Sequence, residues 1–191
     1  MQLNLSTENP DLPKHKCLAL GVFADERPPR GICGFIDWRL NGLISREIFQ
    51  GRIGGAFEEK IIIPFPGRIG AEMLLLFGLG SVSDITYDKI YNAAYGVAHA
   101  VDGMSIQNFA FDLYGEGRPN LVVPNIVEAM VTGVFDFLSS DIQKVSAVSA
   151  GIITSPARLN EVYQGIRQFK TNVNDKGAVD FSDSGNGVAQ G

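Results

Sequence analysis

Hydrophobic residues along this chain recur with two spacings, one typical of β-strands and one typical of α-helices. Short apolar runs that end at glycine, proline or polar residues predict six strands. These strands cover residues 3–5, 17–23, 61–65, 73–78, 106–112 and 145–150. The dipeptide Pro66-Gly67 separates the third strand from the fourth, and this turn predicts that the two strands are antiparallel neighbours.

Apolar residues three and four positions apart predict four amphipathic helices. The first helix is expected to begin at Asp37, which would serve as its N-cap, and to end at Gly51. Trp38, directly after this cap, is interpreted as a core anchor. The other helices cover residues 86–103, 126–138 and 156–169.

Strands that alternate with helices predict crossover connections, and therefore parallel strands with helices on both faces. We expect an α/β fold of three layers, with a mixed, mostly parallel sheet between the helices. Residues 1–170 are expected to form a single domain. Residues 171–191 are polar and glycine-rich, so they offer little apolar surface to bury. We expect them to form a flexible C-terminal tail.

The composition excludes some classes of function. A length of 191 residues with 45% apolar residues suits one substantial core. The net charge of −5 provides no basic surface, so nucleic acid is not an expected partner. No apolar run reaches the roughly 20 residues that span a bilayer, and the N-terminus lacks a secretory signal pattern. We expect a cytoplasmic protein without a membrane partner, in which Cys17 and Cys33 are reduced and buried.

Two glycine-containing loops are candidates for binding an anion. In parallel sheets, ligands lie outside the carboxyl ends of the strands, where helix N-termini present free N–H groups. The candidate residues are Gly78, Gly80 and Ser81 in the first loop, and Ser149, Ala150, Gly151, Ile152 and Ser155 in the second. Ser155 is expected to cap the helix that follows the second loop. The alternative is that these glycines only permit tight turns.

Four segments of the sequence resemble the N-terminal domain of the leucyl aminopeptidase (cytosol aminopeptidase) family. They are Gly21-Val-Phe-Ala-Asp25-Glu26, Asp37-Trp-Arg-Leu-Asn-Gly-Leu43, Gly54-Gly55 and Leu74-Leu-Leu-Phe-Gly78-Leu-Gly80. The resemblance covers nearly all of residues 1–170. It implies a macro-domain-like fold, since that domain is similar to the α/β macro domains that bind ADP-ribose.

The second candidate loop also resembles a macro-domain feature. The sequence Val148-Ser-Ala-Gly-Ile152, followed by Ser155-Pro156, is similar to the phosphate loop of macro domains and the helix after it. The resemblance implies that Ser149, Gly151 and Ile152 contact a phosphate through their backbone N–H groups.

The family's chemistry, as the resemblance implies it, belongs to a separate C-terminal domain. That domain holds two zinc ions with Lys, Asp and Glu side chains and carries the signature NTDAEGRL, which this sequence lacks. The histidines, His15 and His99, have no further ligands at metal-binding spacing. We therefore expect no catalytic residue, no metal and no cofactor.

Two functional hypotheses remain. The preferred hypothesis is a stand-alone, non-catalytic module that acts in oligomer assembly, or as a partner or regulator of another protein. The alternative is a domain that binds a nucleotide or an ADP-ribose-type ligand. Against the alternative, the acidic pair Asp25-Glu26 stands where catalytically active macro domains carry an asparagine-rich segment, and it would repel a diphosphate.

Overall fold

The computed structural model describes residues 1–172 and 180–183, which contain a seven-stranded mixed sheet. The strands are β1 (Gln2–Ser6), β2 (Cys17–Phe23), β3 (Lys60–Pro64), β4 (Met73–Gly80), β5 (Asn108–Phe111), β6 (Ser149–Ile153) and β7 (Asp180–Asp183). Their spatial order is β3-β4-β2-β5-β6-β1-β7. The β3–β4 pair is antiparallel and all other neighbours are parallel. The expected mixed, mostly parallel sheet is confirmed.

Helices cover both faces of the sheet, as the three-layer prediction requires. They are α1 (Gly31–Arg39), α2 (Leu43–Phe49), α3 (Tyr87–Gly103), α4 (Val123–Leu138), α5 (Ile142–Ala147) and α6 (Leu159–Asn172). Helices α3, α4 and α6 contribute to one hydrophobic core, and α1 and α2 contribute to a second core on the opposite face. Strands β2 and β4 are buried along almost their whole length because both of their faces are covered. Among the described residues, no helix is long and apolar enough to cross a membrane.

Two local predictions are confirmed. The hydroxyl of Thr86 accepts a hydrogen bond from the backbone N–H of Lys89 at 3.3 Å, so Thr86 caps α3 as expected. The turn after β3 returns the chain antiparallel into β4, and the N–H of Phe65 donates to the carbonyl of Glu72 at 2.8 Å across this connection.

The prediction of a single helix from Asp37 to Gly51 is wrong. Asp37 lies inside α1, and the backbone at Asn41 and Gly42 is left-handed, which separates α1 from α2. The buried carboxylate of Asp37 instead accepts hydrogen bonds from the N–H and the hydroxyl of Ser45, at 3.0 and 2.5 Å, in the first turn of α2. Trp38 is 68% exposed and is therefore not the core anchor that the sequence predicts.

The last predicted strand is also displaced. Residues 142–147 form α5, whose first turn is capped by the side chain of Asp141, and β6 begins only at Ser149. Within the predicted C-terminal tail, Asp180–Asp183 forms β7 beside β1, and α6 extends to Asn172. β7 is the outermost strand on this side of the sheet, so its pairing depends on a distant segment that the local sequence does not show. Residues 173–179 and 184–191 of the predicted tail lie outside the described residues.

Candidate functional site

The second candidate loop is part of a strand. Ser149, Ala150, Gly151 and Ile152 lie within β6, where Gly151 is the register partner of Asn4 in β1 and of Ala110 in β5. Gly151 has no left-handed backbone angle. The prediction of a loop at these positions is wrong, because β6 begins later than the apolar pattern indicates and also ends later.

Ser155 does follow the carboxyl end of β6. It occupies the N-cap position of a 3-10 turn, Pro156–Arg158, but its side chain makes no capping hydrogen bond. Its side chain is exposed. The predicted capping role of Ser155 is therefore wrong, although its position at the start of the turn agrees with the sequence prediction.

The first candidate loop has a structural explanation. Gly80 is the last residue of β4, and Gly78 lies two positions before it. Segment 55–59 packs directly against both glycines. The N–H of Gly78 donates to the carbonyl of Glu59 at 2.8 Å, and the N–H of Gly80 donates to the carbonyl of Gly55 at 2.9 Å. A Cβ at Gly78 would lie 1.8 Å from the carbonyl oxygen of Ala56. These glycines permit a close approach of two backbone segments.

A carboxylate of the protein binds the donors that follow β4. The hydroxyl of Ser81 donates to Oδ2 of Asp25 at 2.5 Å, and the N–H of Val82 donates to Oδ1 at 2.9 Å. These hydrogen bonds lower the pKa of Asp25 below its ordinary value, and the bond from Ser81 contributes more than the bond from Val82. The chain thus places its own anion at the N-terminus of the 3-10 turn Val82–Asp84.

A second carboxylate binds the amides of the neighbouring glycine pair. Both N–H groups of Gly54 and Gly55 donate to the carboxylate of Glu59, and the Gly54 amide lies 3.0 Å from Oε2. Successive N–H groups of this kind form a concave anion site in many proteins. Here an external anion would have to displace Glu59.

A pocket of about 400 Å³ opens at the same edge of the sheet, beyond the carboxyl ends of β2 and β5. We call it the β5 pocket, and its wall contains Gly21, Phe23, Glu26, Arg30, Gly31, Ile32, Leu79, Asp112, Leu113, Tyr114, Gly115, Glu116, Gly117, Arg118 and Arg158. The segment Gly115-Glu-Gly-Arg118 was missed by the sequence reasoning. Its signal was available, because it is a second Gly-x-Gly that follows a predicted strand. Both of its glycines have left-handed backbone angles.

Three arginines and three acids line the β5 pocket. Arg118 donates from Nη2 to Oε1 of Glu26 at 2.5 Å, and Nε of Arg30 lies 3.9 Å from the same oxygen. Nε of Arg158 lies 3.3 Å from Oε1 of Glu116. Two of the three acids in the wall, Glu26 and Glu116, therefore have arginine partners. These arginines offset the negative charge that the acidic pair Asp25-Glu26 suggests in the sequence.

The third acid, Asp112, sits directly after β5. Its Oδ1 accepts a hydrogen bond from the N–H of Gly21 at 3.2 Å, and burial raises its pKa to about 7. Asp112 is half-buried and lines the pocket wall. Near neutral pH, small changes in surroundings will therefore decide whether this carboxyl is charged.

The described residues contain no assembled metal centre. No group of three His, Cys, Asp or Glu side chains among residues 1–172 and 180–183 is placed to hold a metal ion. Cys17 and Cys33 are free and buried. Burial raises the pKa of the Cys17 thiol to about 12, and burial also raises the pKa of the Cys33 thiol above its ordinary value. Such thiols are poor nucleophiles at neutral pH.

The sheet order, the flanking helices and the pocket at the carboxyl edge define a macrodomain-like α/β domain. The solved structure of an Oceanobacillus iheyensis macrodomain with ADP is similar, with a TM-score of 0.69 over 88% of this chain and 91% of that chain. The two sequences are only 9% identical, so this similarity shows the fold alone.

The chain belongs to the cytosol aminopeptidase family, whose N-terminal domain model matches residues 19–140. A probable cytosol aminopeptidase of Geobacter sulfurreducens is 26% identical over 160 residues, which are 82% of this chain and 32% of that protein. A tomato leucine aminopeptidase variant gives a TM-score of 0.65 at 18% identity, over 91% of this chain and 37% of that chain. The chain spans about a third of the length of these relatives. The resemblance stated from the sequence is confirmed.

Proposed function

We propose that this chain is a non-catalytic domain that assembles with a second copy of itself in the cytoplasm. The observation that carries this proposal is the exposure of large apolar side chains at helix α2 and beside strand β3, two elements that line a common groove. Phe49 at the end of α2 is 91% exposed, and Phe65 directly after β3 is 81% exposed. Large exposed apolar groups beside an apolar groove are typical of interaction surfaces.

Two apolar grooves flank helix α2. One groove, of about 390 Å³, runs along Pro28, Pro29 and Ile48, and the other, of about 330 Å³, runs between α2 and the three isoleucines of β3. We call the two grooves, together with Phe49 and Phe65, the α2–β3 surface. Grooves beside protruding aromatic side chains can receive the same aromatic groups of a second copy, which makes the surface self-complementary.

Strand β3 supports a two-fold arrangement. It is the outermost strand on its side of the sheet, and β4 is its only strand neighbour among the described residues. An exposed edge strand with the sequence Lys-Ile-Ile-Ile-Pro is a template for antiparallel pairing. If two copies pair about Ile62, each Lys60 faces Pro64 of the other copy, so no like charges stand opposite each other.

The alternative function, binding of a nucleotide or an ADP-ribose-type ligand, has less support. The similar macrodomain fold and the arginines of the β5 pocket favour it. Against it, Asp25 and Glu59 already bind the amide and hydroxyl donors that a phosphate would need. A second copy is therefore the partner that the geometry supports better.

The oligomeric state tests this proposal. We expect light scattering during size-exclusion chromatography to give a dimer whose fraction rises with protein concentration. Phe49→Ser removes an exposed aromatic group from the α2–β3 surface and should shift the protein toward monomer. Ile142→Ser is the matched control, because Ile142 is 85% exposed on α5, outside that surface, and should leave the dimer unchanged. A monomer at every concentration, or equal effects of both variants, would contradict the proposal.

Activity provides a separate test of the non-catalytic part. The purified chain should not hydrolyse leucyl substrates when zinc or manganese is added, because the described residues contain no three-ligand group for a metal. Turnover that persists through purification and disappears with a chelator would contradict this part and leave the assembly proposal standing.

A further inference from the structure

The β5 pocket contains one acid without a basic partner. The ion pairs of the described residues include Glu26 and Glu116 but not Asp112. Its Oδ1 accepts one hydrogen bond from a backbone N–H, that of Gly21, and the half-buried residue lines the pocket wall. A carboxyl group in this position lacks a hydrogen-bond donor with positive charge, and an ammonium group would supply one.

The same pocket contains guanidinium groups with unused donors. Arg118 stacks on Phe23, with its guanidinium carbon 4.8 Å from the ring centre, and its Nη2 donates to Glu26. Its Nε is buried and makes no hydrogen bond in the described part of the chain, while 20% of the side chain remains exposed. Arg30 contacts Glu26 only at 3.9 Å, which is beyond hydrogen-bond distance, so its donors also remain available.

The remaining wall of the pocket is apolar. Ile32, Leu79 and Leu113 line it, and Leu79 and Leu113 are buried in the protein. The volume of about 400 Å³ suits a small organic molecule. Such a molecule can place an apolar group against these side chains while its polar groups face Asp112 and the arginines.

We infer that the β5 pocket binds a small zwitterion, namely an apolar α-amino acid or a dipeptide. The ammonium group of the ligand donates to Asp112, its carboxylate accepts from Arg118 and Arg30, and its side chain contacts Ile32 and Leu79. The site is independent of the α2–β3 surface.

Charge distinguishes this ligand from a nucleotide. The three arginines and three acids of the pocket wall have a formal charge of zero together, so a ligand without net charge leaves the balance unchanged. A diphosphate would bring two or more negative charges next to Asp112 and would disfavour the charged form of this carboxyl further, whereas an ammonium group favours the charged form. A zwitterion uses both kinds of unpaired group, whereas an anion uses only one.

Calorimetric titration of the purified chain tests the inference, with ligands that lose one charge at a time. L-leucine and L-leucyl-L-leucine should bind saturably. Leucinamide lacks the carboxylate and N-acetyl-L-leucine lacks the ammonium group, and each should bind at least tenfold more weakly, which corresponds to about 1.4 kcal/mol. ADP-ribose and inorganic phosphate should give no saturable heat.

Two variants test which residue binds the ammonium group of the ligand and which residue binds its carboxylate. Asp112→Asn should weaken L-leucine at least tenfold while it leaves the weak binding of N-acetyl-L-leucine unchanged. Arg30→Gln should weaken L-leucine but not leucinamide. Asp136→Asn is the control, because Asp136 is on α4, which contributes no residue to the pocket wall, and the substitution should leave every affinity unchanged.

Three results would overturn the inference. They are the absence of saturable binding for both L-leucine and the dipeptide at millimolar concentration, equal affinities for L-leucine and N-acetyl-L-leucine, and tighter binding of ADP-ribose or phosphate than of L-leucine. The last result would assign the pocket to the nucleotide-type ligand instead.

Discussion

The carboxyl edge of the sheet contains two Gly-x-Gly sequences, of which one is closed by other parts of the protein and the other lines an open pocket. Gly78-Leu-Gly80, at the end of β4, is packed against segment 55–59, and the carboxylates of Asp25 and Glu59 bind the donors beside it. Gly115-Glu-Gly117, after β5, lines an open pocket with unpaired polar groups. The same sequence pattern thus belongs in one case to a closed backbone contact and in the other to a candidate binding site.

The difference shows what a glycine pattern alone leaves undetermined. Glycines provide left-handed angles or close approach, but whether their surroundings bind a ligand depends on which other groups reach the same donors. Asp25 reaches Ser81 across 56 positions of sequence, and no local pattern predicts that contact. An anion site is therefore defined by its unsatisfied donors and not by its glycines.

The largest effect is expected from Gly78→Ala. The new Cβ would lie 1.8 Å from the carbonyl oxygen of Ala56, so the backbone of β4 or of segment 55–59 must move. We expect a loss of about 3 kcal/mol or more in the free energy of unfolding, measured by denaturant titration. Gly103→Ala is the control, because nothing lies within 4 Å of a Cβ there, and it should change stability by less than about 0.5 kcal/mol. A similar small change in both variants would contradict the closed contact.

A smaller loss is expected from Glu59→Ala. This substitution removes the acceptor for the amides of Gly54 and Gly55, and we expect a loss of about 1–2 kcal/mol in the free energy of unfolding. Glu72→Ala is the matched control, since Glu72 pairs with the exposed Lys16 on the surface and should cost less than about 1 kcal/mol. If Glu72→Ala proves the more costly of the two, Glu59 is not an integral part of its loop.

Asp112→Asn should change how stability depends on pH. Because the folded-state pKa of about 7 is higher than the ordinary value, the folded protein binds this proton more tightly than the unfolded chain does. The wild type therefore loses stability from this group as pH rises from about 4 to about 7, and the loss then levels off. Asparagine cannot ionise, and its side-chain oxygen still accepts from Gly21. The unfolding midpoint of the variant, relative to that of the wild type, should therefore rise as pH increases from 5 to 8. A difference that stays constant or falls with pH would contradict the assignment.

The smallest effect is expected from Gly151→Ala. Gly151 is extended within β6, and the new methyl would lie 3.1 Å from Cβ of Ala110, so a shift of a few tenths of an ångström accommodates it. We expect a change in unfolding free energy within about 1 kcal/mol. A loss comparable to that of Gly78→Ala would contradict the assignment of Gly151 to a strand position with room for a methyl group.

The sequence predicts β1 to β5, the hairpin and the family well, because each depends on local apolar spacing or on contiguous segments. The sequence prediction fails where the apolar spacing of one helix continues into the next helix although the backbone between them is not helical. The apolar positions of α1 and α2 continue one helical repeat, while left-handed Asn41 and Gly42 interrupt the backbone between them. At residues 145–150 the apolar run is too short to distinguish a helix end from a strand. The β5 pocket depends on Gly21, Asp112 and Arg158 coming together from distant segments, which only the fold determines.

The central claim is that the glycine-rich edge after β4 is closed by the protein's own carboxylates while the edge after β5 is open. Amide chemical shifts in a two-dimensional NMR titration test it most directly, with L-leucine and inorganic phosphate as separate probes. L-leucine should shift the amides of Gly115 and Gly117, and neither probe should shift those of Gly54, Gly55 and Val82, whose hydrogen bonds to Glu59 and Asp25 are already made. Saturable shifts at Gly54, Gly55 and Val82 with phosphate, and none at Gly115 and Gly117 with L-leucine, would contradict the account.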